Sequence, residues 1–271
     1  MLYISSSYVR LSYKTLKVYL AGIQYHSIIN GFPVSLSSMH QLFYTLRGVR
    51  RLQGSAFTRP PRSPITTRHL HILLEFFRSS FKPFDANMLS AAALTAFFGL
   101  LRSSEYLPAH SSTYDPATTL LCSDVFISPD LSFASIHLKC SKTDPFRVGC
   151  LVKLWSTKNS LCPVTALHRH MLRHSQGPVF TFQNGSYLNR QIWSSIIQMG
   201  LRDITLNTHS FRIGGASSAH AVGVPDSTIQ TLGRWSSSAY QVYLRLPDDT
   251  VRRSQCLMSQ SSFVLRWDPH P

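Results

Sequence analysis

Acidic residues are scarce in this 271-residue chain, and their distribution is more telling than their number. Only 12 Asp and Glu stand against 27 Lys and Arg, a formal net charge of +15. The first 74 residues contain none; Glu75 is the first acid. Nine bases occupy the same stretch: Arg10, Lys14, Lys17, Arg47, Arg50, Arg51, Arg59, Arg62 and Arg68. Such an imbalance points to a polyanionic partner, because basic side chains gain affinity by releasing counterions from phosphates. Long apolar runs are missing as well. The best candidate, Ala91 to Leu101, is too short to span a bilayer, and the N-terminus lacks the basic-then-apolar plan of a signal peptide. These features predict a soluble intracellular protein with no membrane partner. Cysteine is sparse: Cys122, Cys140, Cys150, Cys162 and Cys256 form no C-x-x-C pair, so a zinc ribbon or disulfide framework is not indicated and reduced thiols are expected.

What is present reads mainly as helix. Leu16, Tyr19, Leu20, Ile23 and Ser27 recur at helical spacing over Ser12 to Asn30, with Ser12 as N-cap and Gly31-Phe32-Pro33 as the stop. A second helix is expected over Ser37 to Leu52, with Met39, Leu42, Phe43, Leu46 and Val49 on one face. Gly54 to Pro64 holds three prolines and no helical period, the composition of a linker. Helices are expected again at Thr66 to Phe77 and at Asn87 to Leu101, the latter apolar nearly all round and therefore buried. Three short strands follow, at Asp124 to Ile127, Phe133 to Leu138 and Val148 to Leu154. Further helices are expected at Pro163 to His174, Leu188 to Met199, His209 to Val222 and Asp226 to Leu232. The fold class is thus mainly α with one small antiparallel β-sheet. Residues 1–53 form a small basic helical domain, 54–64 a linker, and 65–271 a larger domain with a tail over 244–271.

His209-Ser-Phe-Arg212 is the first stretch that carries chemistry. Three apart on a helix, His and Arg project from one face, and together they suit a phosphate: a planar bidentate fork beside a second donor or proton shuttle. H-x-x-R alone is a loose pattern. Its surroundings sharpen it. Gly214-Gly215-Ala216 permits close helix packing; Val224 to Trp235 reads as a short helix ended by Gly233; Ser236 to Arg245 contains Tyr240 and Tyr243. Upstream stand Gly99-Leu-Leu-Arg102-Ser-Ser-Glu105 and, at a strand turn, Ser141-Lys142-Thr143.

In these stretches, and in their order, the chain resembles the tyrosine recombinases, or phage-type integrases. Gly99 to Glu105 is similar to the family's first-arginine box, Ser141-Lys142-Thr143 to its β-hairpin lysine, and His209-Ser-Phe-Arg212 to its H-x-x-R box. Trp235 sits where the family has His or Trp, and Tyr243 matches the nucleophile. Ser141-Lys-Thr-Asp144 and Gly233-Arg-Trp-Ser-Ser237 most resemble recombinases of eukaryotic mobile elements of the DIRS, Ngaro and Crypton kinds, which implies nuclear residence. The basic N-terminal segment resembles the family's helical, SAM-like core-binding domain but is short at its start, as a truncated one would be.

The resemblance implies a catalytic set of Arg102, Lys142, His209, Arg212, Trp235 and Tyr243, with Glu105 orienting an arginine. It implies double-stranded DNA as partner, contacted by Lys14, Lys17, Arg47, Arg50, Arg51, Arg59 and Arg62. It implies no cofactor, no metal and no small-molecule substrate. The tail after the tyrosine implies homo-oligomers on DNA, dimers or tetramers. Each group answers a physical need. A tyrosine oxygen attacks phosphorus and conserves the bond energy in a protein ester. Two arginines meet the charge on the non-bridging oxygens, a lysine protonates the leaving 5′-oxygen, and an indole N–H donates to phosphate and excludes water.

Alternatives stay open at this point. Lys139 competes with Lys142, Tyr240 with Tyr243, and Trp235 could serve as core. The run His168-x-His170-x-x-x-His174 invites a zinc reading, but no acid or cysteine is near it in sequence; it reads as polar helix surface beside Arg169 and Arg173. An integrase that cuts and rejoins DNA, a DNA-binding descendant that no longer cuts, and a type IB topoisomerase share these features.

Overall fold

The computed structural model describes residues 10–54, 62–141, 144, 146–238 and 241. The chain divides into two compact units, Met1–Pro61 and Arg62–Pro271.

In the first unit, α1 (Tyr13–Ile29) and α2 (His40–Gln53) are joined through a 3-10 turn at Leu36–Ser38. Ser12 caps α1 by accepting from the Thr15 N–H at 3.1 Å. Gln53 ties the two helices together: its Oε1 accepts from the Tyr13 N–H at 2.8 Å, and its Nε2 donates to the Leu11 carbonyl at 2.7 Å. The buried apolar set here is Leu16, Leu42 and Val49. Much of the apolar face read from the sequence is in fact exposed, including Tyr19, Ile23, Met39 and Phe43. Two helices cannot cover both of their own apolar stripes. Lys14, Lys17, Arg47, Arg50 and Arg51 are exposed, and Lys17 and Arg50 both lie over the Tyr13 ring, at 5.9 and 5.7 Å.

The second unit contains α3 (Thr67–Ser80), α4 (Pro83–Phe98), the single turn α5 (Ser103–Tyr106), β1 (Val125–Ile127), β2 (Phe133–Leu138), β3 (Cys150–Trp155), α6 (Pro163–Met171), α7 (Arg190–Leu201), α8 (Thr208–Ala221) and α9 (Asp226–Gly233). Helix α4 is the hub, packed against α3, α6 and α8. Its alanines and leucines are buried on every side, as an all-round apolar helix requires. It starts four residues earlier than its periodicity predicts, because Pro83 occupies the first helical position, where a missing N–H costs nothing. The sheet is antiparallel in the order β1-β2-β3, with Ile136 opposite both Val125 and Val152. Ala134, Ile136 and Leu138 alternate inward toward the core. Two aromatic contacts join the helices beneath the candidate site: Phe77 lies against Trp193 (5.8 Å), and Trp193 stacks on Phe211 at 5.5 Å and 9°.

One side-chain reading is corrected. His170 is not helix surface but 1% exposed, its Nε2 donating to the Val179 carbonyl at 2.7 Å. A carbonyl brought in by a later loop satisfies it, which no local pattern announces. No helix among the described residues is long and apolar enough to cross a membrane.

Candidate phosphate-binding site

Helix α8 enters the site through its cap. The Asn207 side chain accepts from the His209 N–H at 3.0 Å, and the Ser210 hydroxyl accepts from the Asn207 N–H at 3.2 Å. The helix can then come close to its neighbours because of two glycines: a Cβ on Gly214 would run into the Ile65 carbonyl, and one on Gly215 into the Phe97 carbonyl. Close approach to the end of α4 brings Arg212 beneath the Gly99–Arg102 turn.

That turn is shaped to receive it. Leu100 has φ of +47°, a left-handed conformation that costs a non-glycine residue energy. Its carbonyl accepts from Arg212 Nη1, and also from Arg234 Nη2 at 3.2 Å. Arg212 Nη2 donates to the Gly233 carbonyl. The guanidinium is 1% exposed and lies 4.2 Å from the centre of the Trp235 ring. The partners named here are carbonyls and a π-face. They fix the plane of the fork and leave its charge in place.

Trp235 is buried against Leu100, Ala216 and Ile229. Gly233 is what admits its ring, which would overlap any Cβ at that position. The indole therefore serves as both core and platform for Arg212.

Arg102 follows directly on the turn and caps α5. Glu105, 2% exposed, accepts from the Arg102 N–H at 2.8 Å and from Arg102 Nη1 at 2.7 Å. The same carboxylate accepts from Arg234 Nη2 at 3.0 Å. Glu105 is thus clamped between two guanidiniums. Arg234, itself left-handed at φ +57°, also donates to the Gly99 carbonyl at 3.1 Å. It lines a groove at the root of the β2–β3 hairpin together with Leu138, Gly149 and Cys150. Tyr106, next to Glu105, accepts a hydrogen bond from the Trp193 indole at 3.0 Å. Burial drives its phenol pKa upward, so it stays protonated as a structural strut.

His209 records the field of this arrangement. Its pKa falls from the ordinary 6.5 to about 4, through burial first, then the charges of Arg62, Arg212, Arg102 and Arg190. Arg102, His209 and Arg212 therefore converge, with Arg62 beside them. Arg190 and Arg234 join the group although sequence reasoning did not single them out as site residues. Each comes from a different element, and no spacing links either to H-x-x-R.

Of the two candidate lysines, Lys139 is committed elsewhere: its Nζ meets Asp124 at 2.7 Å and the carbonyls of Pro116 and Thr119 at 2.9 and 3.3 Å. Lys142, Tyr240, Tyr243 and Arg59 lie outside the described residues, as does the 244–271 tail. Lys14, Lys17, Arg47, Arg50 and Arg51 belong to the first unit.

No family model matches the chain, and no curated protein does. Solved structures do. XerA recombinase is 15% identical, with 94% of this chain and 95% of that one covered and a TM-score of 0.52. XerH site-specific recombinase, in a post-cleavage complex with its palindromic difH substrate, is 14% identical over 95% of this chain and 76% of that one, at 0.54. The Tn1549 transposon integrase, in complex with transposon right end DNA, is 14% identical over 95% and 83%, at 0.56. The chain, mostly helical around one small three-stranded antiparallel sheet, has the tyrosine recombinase catalytic fold.

Proposed function

We propose that this chain is a site-specific DNA recombinase or integrase that cleaves and rejoins strands through a 3′-phosphotyrosyl intermediate without a metal ion. The observation that carries this reading is the convergence of Arg102 with His209 and Arg212, from two separate stretches of sequence, at the first turns of α8. Positive charge held rigidly in a partly buried pocket stabilises a pentacoordinate phosphorane far better than it would in water.

In the reaction, the Tyr243 oxygen attacks phosphorus and the P–O5′ bond breaks. The tyrosine proton leaves toward His209, which is neutral when free and can accept it. Lys142 delivers a proton to the departing 5′-oxygen. Arg102 holds a non-bridging oxygen from the open side of the site. Arg212 supplies fixed charge from below, its plane set by Leu100, Gly233 and Trp235. The commitment of Lys139 to Asp124 supports Lys142 in the lysine role. Glu105, already shared by two arginines, is not a carboxylate set free for a metal. Residues 1–53 would supply further phosphate contacts from Lys14, Lys17, Arg47, Arg50 and Arg51, the linker would add Arg59, and 244–271 would dock on a neighbouring protomer. The eukaryotic-element phrasing around Lys142 and Trp235 supports a nuclear element of DIRS or Crypton type.

The test is a nicked suicide duplex. The chain should form a denaturant-resistant adduct that Tyr243→Phe abolishes while DNA affinity stays nearly intact, and EDTA should leave the yield unchanged. Binding without any adduct would select a DNA-binding descendant that no longer cuts. Equal yields in mutant and parent would remove Tyr243.

A further inference from the structure

One phosphodiester carries one negative charge, and the two guanidiniums of Arg102 and Arg212 already suffice to offset it. Yet His209 lies within electrostatic reach of two more guanidiniums, Arg62 and Arg190. Both are exposed, and neither pairs with a described carboxylate. Packing sets where they stand. The Ile65 N–H donates to the Ser210 carbonyl at 3.0 Å, and Gly214 lies against Ile65, so the segment opened by Arg62 is laid along the first turns of α8. Arg190 opens α7, whose cap residue Asn189 accepts from the Ile192 N–H at 2.9 Å. One turn on, Trp193 stacks on Phe211, two residues after His209. Three elements thus bring their starts to one imidazole. Glu105, the carboxylate of this site, is already divided between Arg102 and Arg234. Cations gathered this densely repel one another unless a polyanion joins them.

We propose that Arg62 and Arg190 form a second anion site beside the first, and that its ligand is the phosphate next to the scissile one on the same DNA strand. This rests on the recombinase reading for its choice of strand. Successive phosphates are joined by one sugar, so a protein that grips one of them beside the reacting centre fixes the direction of the bond to be broken. Register is then set by a contact that takes no part in the bond changes.

A cycle of paired changes tests it by affinity. Arg190→Gln and Arg62→Gln are each combined with nicked duplexes in which a neutral methylphosphonate replaces the phosphate on one or the other side of the scissile position. On all-phosphate DNA, Arg190→Gln should weaken binding about tenfold, the size expected of one charge-assisted hydrogen bond. The slope of log affinity against log salt should fall by about one. On one of the two methylphosphonate duplexes the same variant should lose almost nothing more. Additive penalties on both duplexes would overturn the second site and make Arg190 a contact elsewhere on the DNA. Affinity reads this out whether or not the DNA is cut. A wild-type chain that forms no adduct defeats the recombinase reading by itself. A chain that forms adducts but shows additive penalties defeats only the second site.

Discussion

Two histidines, the buried His170 and the half-buried His209, sit in different regions of the same unit, and both have their pKa pushed down to about 4. The causes differ. At His170 burial dominates, opposed by the hydrogen bond to Val179 and assisted only by its neighbour His174. Its Nε2 is fixed as the donor, because a carbonyl can only accept. Its Nδ1 is buried with no hydrogen-bond partner among the described residues, so a second proton there would have nothing to bond. His174 stacks on it at 5.3 Å, and Phe84 stands edge-on to both rings. This is a histidine used as packing. At His209 burial is joined by four arginines, a field that packing does not require and that disfavours folding. A depressed histidine thus does not mark a site; the source of the depression does.

Substitution should separate the two most sharply. His209→Ala should slow adduct formation by roughly 10²–10⁴, the range of a lost general acid–base group. His170→Asn should leave the rate within about threefold, well short of the tenfold that about 1.4 kcal/mol brings, while lowering the unfolding midpoint. Single-turnover cleavage on the nicked duplex measures both. Comparable losses of rate in the two variants would collapse the distinction.

The contrast also shows how far the sequence could be read. Periodicity located each strand of the second unit and each helix longer than a single turn, because these elements obey the 3.6- and 2-residue repeats of half-buried faces; the one-turn α5 is too short to show a period. The turn at Leu100 escaped, since a leucine in a left-handed conformation has no sequence signature, and that carbonyl is what orients Arg212 and Arg234. His209 and Arg212 were legible because they lie three apart on one helix. Arg190 and Arg234 were not, because only tertiary packing brings them in. Arg62 was legible as one of the bases of an acid-free stretch but not as a neighbour of His209. His170 misled, since its partner arrives from Val179 and nothing within the helix reveals it.

Acid provides the second test. Both histidines stay neutral in the folded chain down to about pH 4, whereas an unfolded chain takes up protons near pH 6.5. Between those values the unfolded state binds more protons, so stability is complete above pH 6.5 and declines as the pH falls toward 4. For the fully buried His170 the decline reaches at most about 2 kcal/mol by pH 5. Denaturant titrations between pH 7.5 and 5 should therefore show falling stability, and His170→Asn should flatten the profile. An unchanged slope in that variant would mean that the unfolded chain, or another group, sets the pH dependence.

The smallest effect is the most specific. The part of the His209 depression that comes from arginines can be screened or neutralised, whereas the His170 depression, being due to burial, cannot. Raising NaCl from 0.05 to 0.5 M (about 14 to 4 Å in screening length) should move the His209 midpoint up by a few tenths, since its surroundings are partly open to solvent. Nicked duplex should move it further in the same direction, because phosphates placed among Arg62, Arg102, Arg190 and Arg212 cancel the field that holds the proton off. The His170 midpoint should stay still under both treatments. Imidazole resonances followed by NMR against pH report the two residues separately. If DNA binds tightly and His209 does not move, the bound phosphates lie somewhere other than this cluster. If both histidines move together, binding has altered the core, and the division between a packing histidine and a phosphate-facing one fails.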